Sequence, residues 1–349
     1  MTNAPDFTFG RAELEAAVAK GVLDRAAADN LAEFLIQNRN AASDPDEERL
    51  RLITGFNDIF VTIGIALFLG ALSYLLGNYG ALASAAGVAI AAWALAEIFT
   101  KRKRMALPSI VLLIVFVMAC ARVGHISFPT TANPNTLFDV RNVLSLSSGV
   151  VAVAASILHW WRFRVPITIA AFAAGIVIIV ATLIEKFQAG AIVAHPLLVF
   201  VPLGLAVFAA AMKFDMSDRN RVTQRTDIAF WLHLLAAPLI VHAAVQPLLT
   251  ERLLGTSAAI GILSIFTVLS FVALAIDRRA LLVSSLLYLG YASSQILTWS
   301  GIASENAGLS ILIVGGTVLV LSVAWQPLRR IVLSILPQSV RNLVPPAAA

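Results

Sequence analysis

A single cysteine, Cys120, occurs in the 349 residues. That excludes an intramolecular disulfide framework and any metal site assembled from several thiolates. Its place inside an apolar run marks a small buried hydrophobe rather than a reactive thiol. Charge is equally scarce: Asp, Glu, Lys and Arg supply 13% of the chain, against roughly 25% in a soluble globular protein. Signatures of chemistry are missing too. The sequence has no Walker A loop, no GxGxxG, no GxSxG and no HExxH, and its five histidines show no i, i+3 or i, i+4 ligand spacing. The longest outer loop, 126–142 with "SFPTTANPNTLFD", holds no defensible nucleophile and base. The expectation is a chain that is not an enzyme and uses no metal or cofactor.

What fills the chain instead is apolar. Hydrophobic residues make up 59%, mean hydropathy is +0.86, and the apolar residues gather in blocks near the roughly 20 residues that span a bilayer. This predicts an all-α fold, a polytopic transmembrane helix bundle. Ten runs qualify: 58–76, 80–99, 106–125, 143–161, 165–184, 193–212, 228–246, 255–276, 281–299 and 307–325. The boundary at "QAGAIVAHP" is blurred, so nine or eleven also fit. The first 51 residues carry ten acids and six bases and no early apolar stretch, so no secretory leader is expected.

Lys and Arg set the direction. One set of loops and the tail holds 15 of them, including Lys101 to Arg104, Arg162, Arg164, Lys213, Arg221, Arg278, Arg279, Arg329 and Arg330. The alternate loops hold Arg141, Lys186 and Arg252. Both termini are therefore expected in the cytoplasm. The pI near 9.7 comes from these scattered loop cations and does not call for nucleic acid. Trp160, Trp161, Trp299 and Trp325 fall at span ends, where an amphipathic ring prefers the headgroup region.

Three parts follow: a cytoplasmic helical hairpin and linker helix (1–56), the ten-span bundle (57–326) and a basic amphipathic tail (327–349). In the hairpin, residues 10–39, Leu14 and Val18 share one face and Gly21 stops the first helix. Asp24 caps a second helix with Leu31, Phe34 and Leu35 together. The pair is too small for its own core, so it is expected to dock on a cytoplasmic protein, on a second copy or on the lipid bilayer. "SDPDEERLRL" starts a third helix capped by Ser43 or Asp44, with Pro45 in its first turn. "PLRRIVLSILPQSVRNLV" reads as a segment lying in the inner interface.

The pattern "xxLxxxVxxGxLxxxxAxxL" over residues 12–31, then "DEERLRLITGFNDIFV", resembles a family of bacterial inner-membrane proteins, domain of unknown function 2157 or a close relative. The resemblance covers residues 10–77 with specificity; the later spans match in hydropathy alone. It implies a bacterial plasma membrane and carries over no functional residues.

Intramembrane ionisable groups cost around 2.5–3.5 kcal/mol on insertion scales and are functional candidates by default. Asp58, at the mouth of the first span, and Glu97, four residues before Lys101, are read as boundary carboxylates that reach the inner interface, Glu97 by an i, i+4 pair. Arg122, just inside the outer end of the third span, calls for a partner, with Asp139 and Glu185 nearest. His233 and His242 share the seventh span on opposite faces, with Pro238 between, and read as interhelical hydrogen-bonding groups. Ala81, Ala85 and Ala89 repeat every fourth residue, a close-approach pattern. The ninth span holds the most coherent polar feature: Ser284, Tyr288, Tyr291, Gln295 and Thr298 fall within about an 80° stripe of a helix turning 100° per residue. Interhelical bonding is favoured there over a solute path.

The leading functional expectation is a membrane scaffold, sensor or regulatory component that docks through its hairpin. The alternative is a small-solute transporter using the ninth-span stripe, against which stands the absence of a mid-depth carboxylate. Orientation has a direct test: a periplasm-dependent reporter fused within "KRKR" should stay inactive while a cytoplasm-dependent one is active. The reverse pattern would undo the topology.

Overall fold

The computed structural model describes residues 11–41, 56–128, 145–218, 221, 223–250, 256–299 and 306–345. The expected third helix, the loop around Asp139 and the "PPAAA" end lie outside these residues, apart from Pro345. The chain divides into two units, residues 1–48 with the last two residues, and 49–347.

The first unit contains α1 (Arg11–Ala19) and α2 (Arg25–Ala41). Gly21 takes φ +68° in the turn, a left-handed position that glycine occupies without a Cβ clash. Asp24 supplies the carbonyl that accepts the first α2 bond, from Ala28 N at 2.9 Å. So short a hairpin shields little: Val22 is 75% exposed and Leu31 is exposed as well.

The second unit is built from antiparallel helices. They are α3 (Phe56–Gly77), α4 (Ala81–Ala96), α5 (Ala106–Ser127), α6 (Leu146–Phe163) and α7 (Ile167–Phe187). The short α8 (Ala191–Ala194) leads into α9 (Pro196–Ser217). After it come α10 (Gln224–Thr250), α11 (Thr256–Ile276), α12 (Ala280–Trp299), α13 (Asn306–Ile335) and the single turn α14 (Gln338–Arg341). Eight of these are long and apolar enough to cross a membrane. Of the other two long helices, α6 carries His159 and Arg162, and α12 is apolar over Ala280–Ser294. The chain is an all-α polytopic transmembrane bundle. Each of the ten sequence segments coincides with one of the ten longer helices.

Local chemistry sets several boundaries. Ser145 and Ser148 cap α6 reciprocally, each hydroxyl accepting the other's backbone N–H at 3.1 and 3.2 Å. The blurred α7–α9 junction resolves into a turn held by Glu185, whose carboxylate accepts Gly190 N at 2.6 Å and Ile192 N at 2.9 Å. Pro196 then opens α9, where a missing N–H costs nothing.

Three apolar clusters run through the bundle. One joins α3 to α7 around Leu112, Leu113 and Ala92. A second joins α7, α9 and α10 around Ala211 and Leu232. The third joins α10 to α13 around Val241, Ala273 and Leu281. Helix α10 thus has neighbours on both sides of the bundle, whereas α3 and α13 turn mostly apolar, exposed faces outward, as lipid-facing helices do. In α4 the buried line is Ala85, Ala89, Ala92 and Ala96, while Ala81 of the expected repeat is exposed.

The expected division at residue 327 does not exist. Helix α13 passes through Pro327 without interruption, and Val332, Leu333 and Val344 join the α10–α13 cluster. Their apolar side chains find a protein surface at the bundle end and bury there.

Close approach in the α6–α7 pair depends on glycine. A Cβ built on Gly149 would lie 2.8 Å from Ile179 Cγ1 and 3.1 Å from Ile179 N, and one on Gly175 would lie 2.8 Å from Val153 Cγ2. Since backbone cannot yield as a side-chain tip does, Gly149→Val should destabilise by about 1–3 kcal/mol. Thermal unfolding of purified protein checks it, with Gly64→Ala, where a Cβ meets open space, as the control near zero.

Candidate functional site: a buried charge cluster at the basic end

The C-terminal ends of α4, α6, α9, α11 and α13 share the end of the bundle that carries the cation-rich connections. Three of those cations, Arg221, Arg278 and Arg329, are buried. Asp215, in the last turn of α9, lies among buried side chains: Arg278 Nε donates to its Oδ2 at 3.1 Å, and Arg278 Nη2 donates to Oδ1. His233 Nε2, from α10, meets the same Oδ2 at 2.9 Å. A carboxylate only accepts, so Nε2 carries the proton. Arg278 and His233 are both 0% exposed. The fork-on-carboxylate arrangement is the strongest ordinary form of such a contact.

Beside it stands a second carboxylate, Asp277. Arg221 Nη1 donates to its Oδ2 at 2.9 Å and Nη2 to its backbone carbonyl at 2.8 Å. Trp325 Nε1, from α13, donates to Oδ1 at 2.8 Å, and Arg329 Nε lies 3.7 Å from that oxygen. Arg329 Nη2 reaches on to the carbonyl of Pro345 at 2.6 Å, drawing the tail onto the bundle. Arg279 sits over the Trp325 ring at 5.0 Å, a cation–π distance. A third carboxylate, Asp218, accepts from Thr223 N at 2.8 Å, Thr223 Oγ1 at 2.6 Å and Thr226 Oγ1 at 3.1 Å, shaping the entry to α10.

Backbone strain marks the same place. The non-glycine residues at positive φ among those described are Arg104, Arg164, Arg221 and Asp277, at 52° to 58°, and all lie in connections at the basic end. A left-handed L-residue costs roughly 1–2 kcal/mol. Glycine would remove that cost at Arg221 and Asp277, but these two side chains form an ion pair with each other. The strain is carried for the sake of the pair.

Among the described residues no three His, Cys, Asp or Glu side chains gather as a metal site. What the arrangement does is join α9, α10, the α11–α12 turn, α13 and the tail through charges held out of water. His233 Nδ1 and Arg278 Nη1 are among its atoms that face no hydrogen-bonding atom among the described residues.

The structure disperses the sequence candidates. Asp58 lies in the first turn of α3, at the mouth of the span, and is 3% exposed. Glu97 pairs with Arg162 of α6 at 2.7 Å, not with Lys101, because residues 97–102 widen into a π-helical turn that breaks the i, i+4 register. Arg122 is exposed on α5 and forms no ion pair among the described residues. Glu185 is engaged by the turn after α7, and Asp139 lies outside the described residues. His242 Nδ1 bonds the hydroxyl of Tyr288, so the two histidines of α10 serve opposite neighbours, α9 and α12, as their half-turn offset requires. Of the ninth-span stripe, Ser284 is half-buried, and the side chains of Tyr291, Gln295 and Thr298 lie outside the described residues. Trp325 is 2% exposed; its partner is Asp277 and not the headgroup region.

Missing from the sequence reading are Asp215, Asp277 and His159. His159, buried in α6, bonds Thr168 Oγ1 of α7 through Nδ1 at 3.2 Å and packs among Trp93, Phe116 and Phe163. A signal existed for the first two: acids embedded in "FDMSD" and "IDRR", inside connections otherwise selected for positive charge. Comparison of the chain with protein families, with curated proteins and with solved structures finds no match.

Removing one partner strands the other without water, a loss of about 3–5 kcal/mol. Asp215→Asn and Arg278→Met should each destabilise by that order, and the double variant by clearly less than the sum. A double-mutant cycle on chemical unfolding of the purified protein measures this; strict additivity would show the pair to be uncoupled.

Proposed function

We propose that this chain is a multi-pass component of a bacterial plasma membrane, with both termini cytoplasmic, that scaffolds or regulates other proteins. The observation carrying the reading is that polar groups suited to a solute path are engaged with one another. Tyr288 is bonded to His242, Asp215 to Arg278 and His233, and Asp277 to Arg221 and Trp325. A bundle cross-linked in this way resists the rocking of halves that alternating access requires. The orientation rests on the 15 cations of one side against three on the other, and the family on the resemblance of residues 10–77.

The docking element is the hairpin of α1 and α2. It falls in a unit of its own and leaves Val22 and Leu31 uncovered. Such residues stay exposed at a cost that a partner's apolar surface removes.

The test is reconstitution of the full chain in liposomes with a panel of labelled neutral, anionic and cationic solutes. The expected result is no saturable uptake by the wild type. Saturable flux abolished by Tyr288→Phe would overturn the scaffold reading in favour of transport. A photo-crosslinker at Val22 in intact cells should capture a defined protein, and capture should fall when Leu31 is changed to Asp. Labelling of lipid alone would remove the docking role.

A further inference from the structure

At the other side of the bundle from the charge cluster, α4, α5 and α6 leave a groove of about 420 Å³. That volume falls in the range of small-ligand sites, roughly 300–1,000 Å³. Its walls are apolar throughout: Ala86, Ile90 and Trp93 from α4, Phe116 and Cys120 from α5, and Leu158 from α6. Ile90 and Leu158 are exposed, so the groove opens sideways, onto the surface that the hydrocarbon region covers. Behind it the floor is close-packed. Trp93 lies tilted against Phe116 at 5.2 Å and edge-on to Phe163 at 5.0 Å, with His159 against Phe163 and bonded to Thr168.

One turn beyond the groove toward the basic end stands an ion pair. Glu97 follows Trp93 by four residues and Arg162 follows Leu158 by four, so each stacks on its groove residue along the same helix face. Arg162 Nη2 donates to Glu97 Oε2 at 2.7 Å. Immediately past it come Lys101, Arg102, Lys103 and Arg104 after α4, and Arg164 after α6, all exposed. Lys101 lies roughly 10 Å along the axis from Trp93. Trp161, 77% exposed, adjoins Arg162 at the level of the ion pair, where an indole marks the headgroup region. Among the described residues no acid pairs with these exposed cations, Glu97 being held by Arg162.

We infer that this site binds an anionic phospholipid, one acyl chain in the α4–α5–α6 groove and the headgroup phosphate on the Lys101–Arg104 and Arg164 cations. Two physical requirements select that occupant. A lateral apolar groove gains nothing from water exclusion inside a bilayer, since lipid tails are as apolar as its walls, so its occupant must be chosen by fit and by the polar end. A cluster of four to eight juxtamembrane cations draws anionic lipid, and here it lies at headgroup distance from the groove mouth. A zwitterionic lipid fits the groove equally well but leaves the five cations without net countercharge. The inference is independent of the scaffold reading, because it concerns which lipid the bundle holds and not what the hairpin contacts.

Trp93 gives the site its own reporter. The full chain is reconstituted with trace lipids brominated along the acyl chain, either phosphatidylglycerol or phosphatidylcholine, and the quenching that depends on Trp93 is obtained by difference from Trp93→Phe. The phosphatidylglycerol probe should quench Trp93 at a several-fold lower mole fraction than the phosphatidylcholine probe. High salt, which shortens the screening length to about 3 Å at 1 M, should erase most of that preference. Lys103→Gln/Arg164→Gln should reduce it too, while leaving Lys101, Arg102 and Arg104 to hold the topology. Ala86→Phe, which fills the groove, should weaken quenching by both probes while the fold survives by thermal unfolding. Equal quenching by the two probes in the wild type would overturn the headgroup assignment. Quenching by neither would mean that a second copy or a partner helix covers the groove, and would overturn the proposal outright.

Discussion

Holding charge away from water is what organises the basic end of this bundle. A carboxylate transferred to a dry interior is tolerated only when opposite charge and hydrogen bonds replace its hydration. Asp215 and Asp277 meet that requirement with donors drawn from different parts of the chain: Arg278 and His233 for one, Arg221, Trp325 and Arg329 for the other. The remaining architecture at this end follows. The α11–α12 turn must bring Asp277 and Arg278 side by side yet aimed at different acids and bases, and it accepts a left-handed backbone to do so. The tail must return far enough for Pro345 to offer its carbonyl to Arg329.

Apolar packing alone does not give such a bundle a unique register. Within lipid, helices associate through close contact and scattered hydrogen bonds, with little help from water exclusion. Glycine contacts draw α6 and α7 together tightly, but sliding one turn along an aliphatic face changes little. Charged pairs tolerate no such slip. The buried ions therefore act as fixed points, and the three apolar clusters fill the volume between them.

The sequence made the helices legible and the ion pairs illegible, for the same reason. Hydropathy and chain direction are one-dimensional, so apolar runs of membrane length and the alternation of basic loops could be read directly. The partners of Asp215 and Asp277 lie 63 and 56 residues away, and nothing local announces them. Arg221, Arg278 and Arg329 were counted with the loop cations, which says on which side of the membrane they belong and nothing about burial. Glu97 misled in a different way: the i, i+4 rule presumes an α-helix, and the chain widens at that residue. With His233 and His242, by contrast, periodicity was informative, since nine residues of an α-helix place two side chains on opposite faces whatever surrounds them.

Those two histidines have a mechanical implication. They lie about 13 Å apart along α10 by helical rise, one fastened to α9 and the other to α12. A rod pinned at two heights on opposite flanks can neither spin nor piston without shearing a pin. Any rearrangement of the bundle must carry α9, α10 and α12 as one block, and the slack must be found elsewhere, among α3 to α5.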